Sequence, residues 1–307
     1  MSDFWEPLGM VFEPPTHLAW CRSHAMLPTP LLQDPINNVW RIFFSGRDNQ
    51  NRSSISFFDV QATDSELTII KVAESPVLTP GRLGTFDDNG VSPSCVIENQ
   101  EGVCLLYYIG WNPGSTTRVN LFGGLARQIG NNRFMRIMES PLLERIPTDP
   151  FINTAPWVVK DGAGFTMFYV SGTGWKNRDF PFYNIKLARS KDGVSWSRDG
   201  TVALDFISKR ETALARPFVI KDKNIWRMWF SKRVGDYSIG YAESFDGTLW
   251  IRRDELYGLE PMNRPGEDKM VEYGVVITSP NKNWLLYNGN DYGRNGIFHA
   301  RGPKFDS

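Results

Sequence analysis

Apolar and polar positions along this chain alternate at the strand period, and no helical periodicity holds for ten residues. Two stretches show the unit most clearly. FTMFYV at 165–170 leads through a polar loop to YNIKLARS at 183–190, and WRMWF at 226–230 leads to YSIGYAES at 237–244. Each copy has an aromatic-rich run, a polar loop, an alternating run ending in Ala-x-Ser, an x-Asp-Gly-x-x-Trp turn and a last short run. Short strands repeating about every sixty residues are the pattern of a blade repeat.

The remaining sequence fits the same unit. WRIFFSG and SISFFDV predict a first copy over 22–73, and VCLLYYIGW and NLFGGLAR a second over 85–139. The two clear copies occupy 149–204 and 209–257, and MVEYGVVITS, WLLYNG and GIFHARG a fifth over 268–302. VSPSCVI, TAPWVVK and ARPFVIK put Pro93, Pro156 and Pro217 in one register as inner strands. Proline removes a ladder hydrogen bond, so these positions are expected at the free start of an innermost strand. The expected fold is all-β: one five-bladed β-propeller domain over 1–307, with four antiparallel strands per blade. The fifth unit lacks a fourth strand, which leaves an open edge. Residues 5–13, with a Trp-x3-Gly-apolar pattern like that of Trp196–Leu204, are expected to complete it; the alternative is an arm lying on the surface.

Composition adds exclusions. Thirty-four basic and thirty-four acidic residues balance, and no long basic run occurs, so nucleic-acid and anionic-membrane partners lack electrostatic support. Three irregularly spaced cysteines, Cys21, Cys95 and Cys104, give neither a disulfide framework nor a zinc site. The start MSDFWEPLGM lacks a signal-peptide pattern, no window reaches a membrane span, and a cytoplasmic location is expected. No cofactor or metal ion is expected, and the oligomeric state is not legible.

Four-stranded units fix which loops share a face. The 1–2 and 3–4 turns, such as SKDGVSW and SFDGTLW, are short. The start of strand 1 and the 2–3 loops GRDNQNRS, GWNPGSTTR, SGTGWKNRDFPFYN, SKRVGDYS and NGNDYGRNG are long and polar, and lie together on the other side. A small-ligand site is expected there. Trp111 and Trp175 on that rim are candidates for stacking on sugar rings, packing between units being the alternative, which is the assignment for Trp196 and Trp250. Asp88, Glu211 and Glu272 are the candidate catalytic carboxylates, since clustered carboxyls drive one another's pKa apart. His24, Asp87, Asn153 and Arg216 at the strand mouths, and Arg47, Asp48, Lys232, Arg233, Asn288, Asn290 and Asp291 farther out, are candidate substrate-binding residues. For each one alone the plain alternative is a turn or strand-edge hydrogen bond. His24 has no companions for a metal site, and no phosphate loop, Ser-His-Asp set or H-E-x-x-H is present.

These motifs (the S/A-x-P inner strands, MWF/MFY second strands and A-x-S-x-D-G-x-x-W turns) resemble the five-bladed propeller glycosidase superfamily of arabinanases, xylosidases, invertases, levansucrases and mannoside phosphorylases. The resemblance covers essentially the whole chain. It implies a carbohydrate or sugar-phosphate ligand and a glycan-active enzyme that cleaves or transfers a glycosyl group at the propeller axis. Hydrolases of this group place an Asp beside Pro in the first blade, a second Asp later, and an acid Glu before Gly-Pro. Here HAMLPTP has no carboxylate beside Pro28 or Pro30, and Ser92, Ala155 and Arg216 precede the later prolines. Two alternatives stay open: a glycosyltransferase or phosphorylase in which Arg47, Arg216, Lys232 and Arg233 hold phosphate, and a non-catalytic carbohydrate-binding propeller.

Overall fold

The computed structural model describes residues 4–130, 132–162 and 164–305. Asn131 of the Gly-Asn-Asn turn, Ala163 of the Lys-Asp-Gly-Ala-Gly turn, and the chain ends 1–3 and 306–307 lie outside the described residues. The fold is all-β. After β1 (Glu6–Phe12) come β2 (Ser23–Asp34), β3 (Val39–Arg47), β4 (Ser53–Ala62) and β5 (Leu67–Val72), paired in sequence order. The same meander recurs in β6 (Gly90–Glu98), β7 (Cys104–Pro113), β8 (Val119–Gln128) and β9 (Phe134–Arg136). It recurs again in β10 (Asn153–Asp161), β11 (Gly164–Asn177), β12 (Phe180–Ser190) and β13 (Val202–Leu204). Next come β14 (Ala213–Asp222), β15 (Ile225–Val234), β16 (Asp236–Ser244) and β17 (Ile251–Arg252), followed by the helical turn α1 (Asp254–Tyr257). The last strands are β18 (Glu272–Thr278), β19 (Lys282–Asn288) and β20 (Ile297–Pro303), with the short turn α2 (Asn290–Gly293) between β19 and β20.

The N-terminal strand supplies the missing edge: β1 pairs antiparallel with β20, from Glu6 opposite Arg301 to Phe12 opposite Ile297. The four-stranded sheet β1-β20-β19-β18 stands apart, while the other strands join into one sixteen-stranded sheet. The joins are single parallel bridges, Ser53 to Gly90, Phe122 to Asn153 and Tyr183 to Ala213, so these neighbouring meanders are paired strand to strand only where one hands over to the next. The first strands make contact in a cycle: β2 with β6, β6 with β10, β10 with β14, β14 with β18, and β18 with β2.

The strands are held by their second members. Tyr107, Phe168, Trp229 and Leu285 are completely buried, and all belong to one large core cluster. The Asp-Gly-x-x-Trp turns explain themselves in detail. Asp192 Oδ1 accepts the amides of Val194 and Ser195, each at 2.8 Å, and Asp246 Oδ1 those of Thr248 and Leu249. Gly193 and Gly247 follow with φ of 76° and 73°, which only glycine adopts without strain. The turn then drops its tryptophan onto the preceding meander: Trp196 meets Tyr107 edge-on, and Trp250 meets Phe168.

The inner prolines sit differently from the expectation of a free strand start. Register shifts fall between Met26 and Thr29, Thr154 and Trp157, and Ala215 and Phe218, and each of these gaps contains a proline (Pro28, Pro156, Pro217), whereas Pro93 lies opposite Tyr108 and the shift in its strand follows it, between Pro93 and Cys95. A bulge needs no ladder hydrogen bond from that residue, so proline is tolerated in mid-strand. The residue before it is forced to positive φ: Leu27 (59°), Ala155 (48°) and Arg216 (50°), with Tyr273 (59°) equivalent at the Glu272–Val275 shift. Such a conformation costs on the order of 1–3 kcal/mol in a non-glycine residue. It turns these side chains away from the alternation of the strand and into the middle of the ring.

Candidate active site

Three of the re-aimed residues, Leu27, Ala155 and Tyr273, join Met26, Ile109, Val170, Leu121 and Tyr183 in an apolar collar. The fourth is Arg216, only 1% exposed. Its Nη2 donates to Thr29 Oγ1 at 2.7 Å and to Pro28 O at 3.2 Å, both on β2, and its guanidinium lies 5.6 Å from the centre of the Trp157 ring. Nε and Nη1 are buried without a partner. Burial lowers its pKa to about 10, still far above neutrality, so a cation sits in the ring with unused donors.

One residue before Tyr273 stands Glu272, which has no exposed surface and neither of whose oxygens closes a well-formed hydrogen bond. Buried carboxylates normally have a partner. Desolvation drives this carboxyl well above the usual carboxylate range, and the nearby Tyr273 phenol offsets only part of that. Burial therefore favours the protonated form of this carboxyl, the form with a proton to give. Tyr183, Tyr273 and Tyr292 all feel its charge, and burial raises the pKa of each phenol. Tyr183 and Tyr237 share a short hydroxyl–hydroxyl contact, and Arg233 lies 4.1 Å from the Phe180 ring centre and 5.6 Å from that of Tyr183. Arg233 also donates to Thr212 Oγ1 at 3.0 Å and Pro181 O at 2.6 Å.

The other wall of this mouth is basic. Arg47, whose Nε is buried and unpaired, donates to Asn51 Oδ1 at 2.9 Å. Burial lowers its pKa first, with Arg118 adding repulsion and Tyr273 and Tyr292 opposing. His24 is buried with φ of 64° and shares a 2.7 Å hydrogen bond between Nδ1 and Ser23 Oγ. Burial, then Arg47 and Arg294, push its pKa down to about 4, against a smaller contrary effect of Asp291, so it is neutral at pH 7. Asp291 and Tyr292 hold consecutive φ values of 56° and 59° in α2. The structure thus brings together Glu272, Arg47, Arg216, Arg233, His24 and Asp291 of the expected residues.

The other expected acids are engaged elsewhere, with partners of their own. Asp87 accepts from Tyr108 at 3.0 Å and pairs with Arg136 of the outer strand β9 at 2.7 Å. Glu211 pairs with Arg252 of the outer strand β17 at 3.0 Å and accepts the Ile207 amide at 2.9 Å. Asp88 accepts the Gly84 amide at 2.9 Å within its own loop. The physical reason is that a carboxylate buried inside a meander needs a cation, and the outermost strand supplies it. Asp149 is neutralised instead from the third strand of its meander, by Lys186 of β12, with Tyr169 and Ser171 donating to it, and Glu267 accepts from Tyr287.

Most of the outer candidates also serve the loops. Asp48 caps 50–52 and pairs with Arg52 at 2.9 Å, and Lys232 is held by Asp254 at 3.2 Å and Glu260 at 2.9 Å. Asn290 Oδ1 accepts the Lys269 and Met270 amides, and Asn153 Nδ2 donates to Glu144 O and Asp149 O. Asn288 staples β19 to β2 through the Leu27 amide and Ala25 O. Trp111 donates to Ser53 Oγ at 2.9 Å, with the Arg47 guanidinium 5.9 Å from its ring centre. Trp175 lines a separate cavity.

Tyr183, Tyr237, Tyr273, Tyr292, Arg118 and Arg294 were missed by sequence reasoning. A signal was present for Glu272: its counterparts two places before the inner prolines are Met26, Val91, Thr154 and Ala215, so it alone is acidic. Asp87, Asp149, Glu211 and Glu267, by contrast, recur six or seven residues before the inner prolines or, in the last unit, Gly274, as structural positions do. Among the described residues no group of three or more His, Cys, Asp or Glu is arranged to hold a metal ion, and no helix is long and apolar enough to cross a membrane.

This geometry sits on a known fold. The chain superposes on BT0996 in its RGII complex with a TM-score of 0.73 at 17% identity, over 100% of this chain and 94% of that one. A glycoside hydrolase gives 0.72 at 17% identity over 99% and 92%. A structure from the GH130 family of mannoside phosphorylases gives 0.68 at 13% identity over 100% and 97%. The fold is that of the propeller glycosidases. No family model matches the sequence. By sequence, the chain belongs to the family of the uncharacterized protein Rv1502 of Mycobacterium tuberculosis (strain ATCC 25618 / H37Rv), to which it is 36% identical over 294 residues, 95% of this chain and 97% of the relative. It is equally similar to the uncharacterized protein MT1551 of the CDC 1551 / Oshkosh strain.

Proposed function

We propose that this protein is a glycan-active enzyme, a single five-bladed propeller whose reaction centre lies at the mouth of the ring of first strands, with Glu272 as proton donor. The observation that carries the reading is the Glu272 carboxyl, completely buried and without a good hydrogen bond, its protonated form favoured by desolvation. Breaking a glycosidic bond requires an acid to protonate the leaving oxygen, and a carboxyl raised by burial meets that need at neutral pH. Tyr292, 40% exposed on the α2 turn, is a phenol of the same mouth on which the charge of Glu272 acts.

A specific observation favours phosphorolysis or transfer over hydrolysis. Of the expected catalytic carboxylates, Asp88 and Glu211 are held by their own loop and outer strand, so hydrolysis, which uses a second carboxyl roughly 5–9.5 Å from the acid, would fall to Asp291 of the same mouth, whose charge acts on His24. Arg47 and Arg216 instead present buried guanidinium nitrogens without partners. Guanidinium groups bind phosphate oxygens through a planar fork, and a bound phosphate is its own nucleophile. The test is a panel of aryl glycosides and sugar phosphates, run with and without inorganic phosphate on the parent and on Glu272→Gln. Turnover by the parent that Glu272→Gln lacks supports the donor role. Phosphate dependence selects phosphorolysis. Binding without turnover by either protein replaces the enzyme with a carbohydrate-binding propeller.

A further inference from the structure

Eleven tryptophans occur in the chain, and ten have a structural task. Trp5, Trp157, Trp226, Trp229 and Trp284 lie in the main core, and Trp20, Trp40, Trp196 and Trp250 pack against it. Trp111 is fixed by Ser53 and covered by Arg47. Trp175 belongs to no core cluster and makes no aromatic pair, and its indole N–H has no partner among the described residues.

What Trp175 does border is a cavity of about 340 Å³ between the end of β7–β8 and the β11–β12 hairpin. Its apolar surface is Trp175, Phe122 and Phe151; its polar surface is Asn120, Arg145 and the hydroxyls of Thr116 and Thr117. Arg145 lies 5.1 Å from the Phe122 ring centre and donates to Asn120 Oδ1 at 3.2 Å, which leaves Asn120 Nδ2 and Arg145 Nη1 without a protein partner among the described residues. The two hairpins are clasped by a 2.9 Å bond from the Arg118 amide to Arg178 O, so the cavity is built rather than left between loose loops. Leu121 lines it and also belongs to the apolar collar with Leu27, Ala155 and Tyr183, so cavity and mouth share one wall.

We propose that this cavity is an accessory subsite that seats a sugar ring of an extended glycan, beyond the ring held at Glu272. The size is at the lower end of ligand pockets, ~300–1,000 Å³, and suits one ring with its substituents. The chemistry is that of a saccharide: an aromatic face for the apolar C–H side of the ring, and amide, guanidinium and hydroxyl groups for its edge. The enzyme's substrate class is therefore oligosaccharide or polysaccharide rather than a lone glycoside. This rests on the glycan reading above but not on Glu272.

The test is titration calorimetry of the intact protein with mono-, di- and trisaccharides of arabinan, β-1,2-mannan and fructan. At least one series gains tenfold or more in affinity from mono- to trisaccharide. Trp175→Ala removes that gain and leaves monosaccharide binding unchanged, Trp175→Phe retains most of it, and Arg145→Ala weakens it. Thermal melts verify that each variant is folded. Glu272→Gln keeps the gain, so a loss of turnover there leaves the subsite standing. Equal trisaccharide binding by Trp175→Ala and the parent overturns the proposal, and so does an absence of binding across all three series.

Discussion

Arg216 Nη2 donates a 2.7 Å hydrogen bond to Thr29 Oγ1, a residue 187 positions away, and so ties β14 to β2 through the middle of the ring. Two of its nitrogens remain unpaired in the same buried space. A guanidinium kept for stability alone would have those donors satisfied, because unpaired buried donors cost about 1–3 kcal/mol each. Arg216→Met is therefore expected to fold, with stability within about 2 kcal/mol of the parent, as apolar replacements of buried ions generally are. It is expected to lose phosphate-dependent activity. Urea denaturation and rate assays on the same preparation check both halves.

Glu211 and Glu272 are both buried acids with opposite expectations. Glu211 is neutralised by Arg252 at 3.0 Å. Glu211→Ala removes one of the two carboxylates on Arg252, which keeps Asp254, and leaves the Ile207 amide without its acceptor; it is expected to cost about 1–3 kcal/mol, with the folded fraction retaining its activity per molecule. Denaturant melts combined with active-site-normalised rates separate the two effects.

Glu272 also sets a pH dependence of stability. Its folded pKa is raised above the unfolded one. The folded state therefore holds its proton longer, and stability present below about pH 4.5 is lost as pH rises toward the folded value. Glu272→Gln removes the penalty. Its melting temperature is expected to match the parent's near pH 4 and to exceed it near pH 8. Equal differences at both pH values would contradict the assignment.

His24 acts in the other direction. Its pKa falls to about 4 in the fold, from an ordinary value of 6.5. The unfolded chain takes up the proton first, so stability present above about pH 6.5 is lost as pH falls toward 4. His24→Gln is expected to flatten the melting temperature across that window, as followed by circular dichroism.

Much of the fold was legible because strand period, turn chemistry and bulge prolines repeat. The Asp-Gly-x-x-Trp turns set the register, and Trp196 and Trp250 pack as that register required. The site was legible only in part. An acid just before an inner strand reads as chemistry, yet Asp87 and Glu211 stand there because each ties the start of its meander to the outermost strand of that meander. The four tyrosines of the mouth were invisible because an aromatic at a strand end reads the same whether it packs or lines a site. Their gathering depends on bulges that turn Tyr273 and Arg216 inward, and no local pattern announces a bulge's direction.

The central claim is that Glu272 delivers the proton. Its most direct test is kcat/KM for Glu272→Gln and Glu211→Gln, measured side by side on the best substrate of the panel, with folding of each variant verified. Loss of about 10²–10⁴-fold in Glu272→Gln with less than about tenfold in folded Glu211→Gln is the predicted result. Near-parental activity of Glu272→Gln, or an equal loss in both, contradicts it.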